Sequence, residues 1–290
     1  MKPPPFHYHD PRTVPEIVAL LGRLDNARLL AGGQSLMPML NMRFVLPDHV
    51  IDLNRVAELA YITETDGALS IGAMTRQRDI EFSALVARRC PLLADAIRQV
   101  GHRQTRNRGT MGGSLCHLDP AAELVAVAAT LDATVEVTGS RGARRIAFAD
   151  FPRGYMTPAL EPDELLSAVH LPLWPDGHGH GFVEFARRHG DFAIVSAAAL
   201  LELDDGGRIK RAALTLGGVG PAPVRMPALE QALTGQLASA VLFREASALC
   251  RDVEVLEDVH APASYRQHLA VVLSRRALEQ AHVSVGKKIA

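Results

Sequence analysis

Cysteine is scarce in this sequence. Only Cys90, Cys116 and Cys250 occur among its 290 residues, widely spaced and with no Cys-x-x-Cys pair. That pattern fits free thiols in a reducing compartment rather than a disulfide framework. Three cysteines also fall short of the four thiolates that an all-cysteine iron–sulfur cluster takes, so this chain cannot build such a cluster alone. The sequence has no excess of either charge: 31 Lys+Arg stand against 32 Asp+Glu, a formal net charge of −1. A protein living on phosphate contacts with nucleic acid carries a clustered basic excess, and none is present. No stretch approaches the roughly 18–20 uninterrupted apolar residues of a membrane span. The start, Met-Lys-Pro-Pro-Pro, lacks the apolar run of a secretory signal, and the expected location is the cytoplasm.

What is present is ordinary in bulk and unusual in detail. A hydrophobic fraction of 48% with 22% charged residues suits a soluble globular protein with a sizeable core. At this length a single core divides, and two domains of roughly 100–200 residues each are expected. The best linker is the Pro/Gly-rich Pro172–Gly181, which sets the domains at 1–175 and 176–290. Ahead of it the pattern predicts a short amphipathic helix from Pro15 to Leu24, shortened by Gly22, and strands at Arg28–Ala31, Val50–Leu53, Ala68–Gly72, Thr134–Val137 and Glu164–Leu171. Helices are expected at Ile80–Val86 and at Leu92–Val100, the latter started by Pro91, and at Ala121–Leu131 with Asp119 as N-cap and Pro120 in the first turn. Beyond the linker, Phe182–Arg187, Ile194–Leu203 and Ile209–Leu216 read as strands, the last two joined by the hairpin turn Asp204-Asp205-Gly206-Gly207. Helices follow at Pro227–Leu233, Ala238–Cys250 and Tyr265–Ala281. No repeat of solenoid period is present.

The 23 glycines carry the detail. Ala31-Gly32-Gly33-Gln34-Ser35-Leu36 follows a strand, and two glycines there let the backbone turn with positive φ so that successive N–H groups converge on an anion. A plain turn accounts for the same residues. The segment is neither a P-loop nor a GxGxxG fingerprint. Thr110-Met111-Gly112-Gly113-Ser114 repeats the device, and two such turns can grip the two phosphates of a dinucleotide, with Ser35, Thr110 and Ser114 as hydroxyl donors. A loose surface loop over Gly109–Gly113 is the alternative. Other candidates reduce to simpler readings. His178 and His180, like His7 and His9, fit solvent-exposed segments rather than a metal site, Cys116 fits a buried small apolar side chain, and Ser35 lacks the GxSxG elbow of a hydrolase nucleophile.

Taken in order, Ala31–Leu36, then Arg106-Asn107-Arg108-Gly109-Thr110-Met111-Gly112-Gly113-Ser114-Leu115 and Asp119-Pro120-Ala121-Ala122-Glu123 resemble the FAD-binding medium subunit of the molybdenum hydroxylases, the carbon monoxide dehydrogenase and xanthine dehydrogenase family. The resemblance continues through Arg188-His189-Gly190-Asp191-Phe192-Ala193 and Gly218-Val219-Gly220-Pro221-Ala222-Pro223-Val224-Arg225 to Tyr265-Arg266-Gln267-His268-Leu269. It implies an α+β chain. An FAD-binding domain of the vanillyl-alcohol-oxidase (PCMH) type, in two α/β subdomains, precedes a C-terminal domain of three antiparallel strands packed on helices.

The resemblance further implies FAD as cofactor, with Ala31, Gly32, Gly33, Gln34, Ser35, Leu36, Thr110, Gly112, Gly113, Ser114 and Leu165 around it. Both Gly-Gly segments would meet the pyrophosphate. Glu123 would approach the adenosine half, and Asp191 and Phe192 would lie by the isoalloxazine. A solvated first-turn glutamate and a core phenylalanine are the plainer readings of Glu123 and Phe192. No side chain is expected to act as a catalytic acid or base, because the flavin carries the chemistry. The molybdopterin cofactor and two [2Fe–2S] clusters would sit on partner chains, a large molybdopterin subunit and a small iron–sulfur subunit, in a doubled heterotrimer. The rival readings are a stand-alone FAD-dependent reductase or oxidase of the same superfamily and a non-redox nucleotide-binding module.

Overall fold

Short apolar runs punctuated by glycine, proline and capping side chains divide the chain into small elements. The computed structural model describes residues 1–286. A parallel three-stranded sheet of order β1-β3-β2 comes from β1 (His7–His9), β2 (Ala27–Leu30) and β3 (His49–Asp52), with α1 (Val14–Leu21) and α2 (Leu36–Asn41) as its crossovers. Thr13 starts α1 by accepting a hydrogen bond from the Glu16 N–H, and the helix ends at Leu21, with Gly22 as its C-cap. Ile17, Ile51, Leu53 and Met74 form the small core beneath this sheet.

A second, antiparallel sheet of order β4-β5-β10-β6-β7 comprises β4 (Ile62–Thr65), β5 (Ala68–Gly72), β6 (Thr134–Gly139), β7 (Gly142–Ala147) and β10 (Leu165–Pro172). The minor strands β8 (Pro152–Gly154) and β9 (Thr157–Pro158) pair with each other. Between β5 and β6 run α3 (Gln77–Glu81), α4 (Ala84–Arg89), α5 (Pro91–Ala96), α6 (Arg103–Arg108), α7 (Met111–His117) and α8 (Glu123–Thr130). The helix expected over Ile80–Val86 is broken, because Ser83 leaves the helical conformation and caps α4 by accepting from the Val86 N–H. The helix from Pro91 stops at Ala96, short of Val100.

The third layer is antiparallel, of order β11-β12-β13-β14: the three expected long strands β11 (Gly179–Phe185), β12 (Val195–Leu203) and β13 (Ile209–Gly217), plus the two-residue β14 (Val224–Arg225). Helices α9 (Pro227–Leu233), α10 (Ala240–Ser247) and α11 (Ala263–Ser284) follow; a 3-10 turn over Ala248–Asp252 ends the segment expected as one helix to Cys250. β12 reads as a continuous apolar run because both of its faces are covered. Ala198 and Leu200 face the core shared with α8, and Ala197, Ala199 and Leu201 face the core shared with α11. Gly179 and Gly181 belong to β11 rather than to the linker. A Cβ on either would lie 2.1 or 2.3 Å from a backbone oxygen of α11, so glycine is what lets the helix reach the sheet.

The sheet is latched to α8 from the far side as well. Arg225 Nη1 donates to the carbonyls of Ala129 and Thr130 and to Asp132 Oδ1, occupying the C-terminal end of α8. His178 and His180 are half-buried, not solvent-exposed: His180 lies on β11 with its Nε2 3.4 Å from Asp95. Among the described residues no helix is long and apolar enough to cross a membrane.

Candidate functional site

β2 runs into Ala31 and the first Gly-Gly segment. Gly33 has φ +74°, which glycine adopts without strain. Gly32 is fixed by crowding instead: a Cβ on it would lie 2.3 Å from the Arg108 oxygen and 2.8 Å from Gly109 Cα. No backbone carbonyl among the described residues accepts from the N–H groups of Gly32, Gly33, Gln34 or Ser35. Ser35 precedes α2, and its hydroxyl makes no capping bond. Four successive backbone donors and a free hydroxyl before a helix fit an anionic ligand.

The second Gly-Gly segment is not a turn. Thr110 caps α7, its Oγ1 accepting from the Gly113 N–H at 3.0 Å, and Gly112 and Gly113 form the first turn of that helix. The Met111 and Gly112 N–H groups donate to the carbonyls of Thr75 and Ala73. The donors are therefore spent within the protein, and Thr110, 1% exposed, is no free hydroxyl. The glycines here serve close packing. A Cβ on Gly112 would lie 2.6 Å from Ala73 Cβ, and one on Gly113 would lie 2.7 Å from Thr110 Oγ1, with Ala31 Cβ at ordinary contact distance, 3.5 Å. The two segments thus meet, Gly32 tightly against Arg108–Gly109 and Ala31 beside Gly113.

Arg76, which sequence reasoning missed, ties them together. Its Nη1 donates to the Arg108 carbonyl and its Nη2 to Asn54 Oδ1, while Asn54 Nδ2 donates to the Ala31 carbonyl at 3.0 Å. Burial first and the nearby Arg108 charge second hold the Arg76 pKa below its usual value. A half-buried cation between two glycine segments is suited to a diphosphate. Its one sequence signal is its place just after a strand end, in the run Gly72-Ala73-Met74-Thr75-Arg76.

Asp119 does not cap α8. Its Oδ1 accepts from the Ala121 N–H at 2.9 Å, closing a turn, and the Pro120 carbonyl accepts from Gly218 N–H of the C-terminal sheet. The chain is thereby turned towards that sheet, and α8 begins only at Glu123. Glu123 is no solvated glutamate: it is 4% exposed, and its pKa is pushed up to about 8 by burial and then by the charge of Glu184.

Across from Asp119–Ala121, the loop Arg187–Ile194 and Gly218–Gly220 enclose a cavity of about 720 Å³. Arg266 of α11 forms its floor, donating through Nη1 to the carbonyls of Ile194 and Gly218 and pairing through Nη2 with Asp258 at 2.7 Å. Asp191 and Phe192 line this cavity, and Phe192 is 59% exposed, so it is not a core residue. Gly190 (φ +87°) lies against the His102 ring, pinning the loop to the N-terminal region. Leu165 is wholly buried among the small core, backbone included, so the structure brings no part of it to an open ligand surface. Cys116 is half-buried against the main core, as a small apolar side chain would be.

The family profile described as FAD binding domain in molybdopterin dehydrogenase matches residues 4–174, and that of the CO dehydrogenase flavoprotein C-terminal domain matches 180–281. The chain belongs to the FAD-binding medium subunits of the molybdenum hydroxylase family. It is 38% identical to the 6-hydroxypseudooxynicotine dehydrogenase complex subunit alpha of Paenarthrobacter nicotinovorans, over 97% of this chain and 96% of that one. It is 35% identical to the carbon monoxide dehydrogenase medium chain of Afipia carboxidovorans, over 97% and 98%. Its fold matches a chain of carbon monoxide dehydrogenase from Hydrogenophaga pseudoflava with a TM-score of 0.95 at 35% identity, covering 99% of this chain and 100% of that chain.

Proposed function

We propose that this chain, as the flavin subunit of a cytoplasmic molybdenum hydroxylase, takes electrons from [2Fe–2S] clusters on a partner and passes them to an external acceptor. A small iron–sulfur subunit and a large molybdopterin subunit complete the heterotrimer, which is doubled. The three cysteines support this division of labour, since they are buried or half-buried and too few for a cluster. The division at 175/176 into an FAD-binding and a C-terminal domain belongs to the same proposal.

One observation carries the reading: two glycine segments far apart in sequence touch, and the first presents four unspent backbone donors beside the Arg76 guanidinium. The residues fit FAD, whose bound flavin supplies two-electron storage between one-electron donors and the acceptor. Ala31, Gly32, Gly33, Gln34, Ser35 and Leu36 would hold the pyrophosphate. Thr110, Gly112 and Gly113 would hold that turn in place, with Ser114 adding a hydroxyl. Glu123 would meet the adenosine half, and Leu165 would support the site from the small core on which Ala31 packs. Asp191 and Phe192 would border the ring, Phe192 restricting access to one face. The chain's work is to bind, orient and exclude water; its side chains need no acid or base role.

Co-expression with the neighbouring genes tests the proposal. A complex containing a small chain with two four-cysteine sets, a molybdopterin chain and flavin absorbance is expected. This chain purifying alone, fully active on an organic substrate, would refute it.

A further inference from the structure

The first glycine segment sorts its polar atoms by kind. Among the described residues, its N–H groups from Gly32 to Ser35 meet no acceptor, whereas three successive carbonyls are taken. Ala31 O accepts from Asn54 Nδ2 at 3.0 Å, Gly32 O from Gln34 Nε2 at 3.2 Å, and Gly33 O from the Met37 N–H at 3.2 Å. The facing Arg108 carbonyl accepts from Arg76 Nη1. In a trans peptide the N–H points opposite to the C=O, so each held carbonyl aims the next N–H the other way. Asn54 thereby aims the Gly32 N–H, the Gln34 side chain that of Gly33, and Met37 that of Gln34.

Asn54 cannot serve the other way round. Its Nδ2 also donates to Asp52 Oδ1, which accepts from the Asn54 N–H as well, while its Oδ1 accepts from Arg76 Nη2 at 2.5 Å. Flipping the amide would set its oxygen against two acceptors and its NH2 against a guanidinium. Asp52 is anchored in turn, since the Tyr8 hydroxyl donates to its Oδ2 at 2.6 Å. The Gly32–Gly33 peptide has no such stiffness of its own, because neither residue carries a Cβ to resist rotation of the plane between them. Rotated, it would present a carbonyl oxygen where an N–H now stands, and an oxygen there repels an anion.

We propose that Gln34 and Asn54 are positioning residues that set the polarity of this segment, holding its carbonyls back so that amide donors alone meet the diphosphate. The inference rests on the assignment of the FAD pyrophosphate to Ala31–Leu36. The Gln34 side chain acts through the Gly32–Gly33 peptide, while its backbone N–H stays among the donors. A segment arranged in this way selects a group that only accepts hydrogen bonds, as a diphosphate does, over one that must donate.

The test labels the full chain with carbon-13 at the glycine carbonyl and nitrogen-15 at the glycine amide. Only Gly-Gly peptides then give a joint magnetic resonance signal: Gly32–Gly33, Gly112–Gly113, Gly206–Gly207 and Gly217–Gly218. In wild type the Gly32–Gly33 signal should be single, and FAD should shift its amide proton. Gln34→Met keeps the side chain's length without its donor and adds no charge, and Gln34 is exposed, so the variant folds. It should split or broaden the Gly32–Gly33 signal before FAD is added, leave the other three signals in place, and weaken FAD binding about threefold to tenfold in a fluorescence titration. Asn54→Ala should weaken binding at least as much yet keep the salt dependence, because the Arg76 charge remains. The role of Gln34 is overturned if Gln34→Met leaves the Gly32–Gly33 signal as in wild type or binds FAD within twofold of it. That of Asn54 is overturned if Asn54→Ala binds within twofold or loses the salt dependence, which would assign Asn54 to Arg76 alone. If FAD binds wild type without moving the Gly33 amide proton, the pyrophosphate assignment itself is overturned, and this inference with it.

Discussion

Replacing Gly32 by alanine puts a methyl group where the two glycine segments meet. Its Cβ would lie 2.3 Å from the Arg108 oxygen and 2.8 Å from both Arg108 C and Gly109 Cα, all backbone atoms that no rotamer change can move. Ordinary contact starts near 3.4 Å, so the segments must part by about 1 Å. Overpacking of that kind costs about 1–3 kcal/mol. The displaced segment carries the unspent donors, so the loss should appear in ligand affinity: FAD is expected to bind about tenfold to a hundredfold more weakly, at 1.4 kcal/mol per tenfold. Gly67→Ala is the control. Gly67 has a positive φ of +73°, which Gly32 lacks, but nothing within 4 Å of its Cβ position, so alanine there carries about 1 kcal/mol of backbone strain and no clash. Fluorescence titration with FAD and thermal melting read both variants. An affinity for Gly32→Ala within twofold of wild type, or an equal loss in Gly67→Ala, would refute the idea that contact between the segments shapes the site.

Arg76→Gln should weaken FAD binding and reduce its dependence on salt concentration, because it removes the cation and the links to Arg108 and Asn54; calorimetric titration at two ionic strengths checks this, and Arg76→Lys should restore only part. Phe192→Ala should leave stability within about 0.5 kcal/mol, since the ring is 59% exposed, yet speed reduction of bound flavin by a small external reductant in stopped flow. Arg266→Lys, which loses the fork to Ile194 and Gly218, should lower stability by about 2 kcal/mol and change urea unfolding accordingly. Burial pushes the Cys90 and Cys116 thiols up to about 12. Both should thus resist iodoacetamide in the native protein at mildly alkaline pH and label only on unfolding, which mass spectrometry of the two peptides detects.

Local signals made most of the elements readable. β5 and α9 occupy the residues predicted for them, because a glycine ends the one and a proline starts the other. That Ala31–Leu36 and the second Gly-Gly segment belong together was legible in their repeated pattern and in the family's motif order. What those glycines do was not, since a helix start and a turn share the pattern Thr-x-Gly-Gly. Asp119 looked like a cap because Asp-Pro commonly opens helices. The carbonyl of Pro120 is instead committed to Gly218, a partner that no local window contains. Burial of Glu123 was hidden for the same reason: its cover is a sheet formed much later in the chain. Arg76 was missed because a lone arginine after a strand carries no signal until Asn54 and Arg108 are seen on either side of it.

The sequence contains a single tryptophan. Trp174 stands at the junction where β10 hands the chain over to β11, 3% exposed, with the Arg211 guanidinium of β13 stacked 4.1 Å above its ring. Undocking of the C-terminal sheet from α8 would strip away that cation and admit water to the indole at the same moment. The molecule therefore carries a built-in optical gauge of its own seam: native tryptophan emission, without any label, reports whether its two halves are together, and oxidised flavin absorbs in the same spectral range, so cofactor arrival can be followed on the same signal.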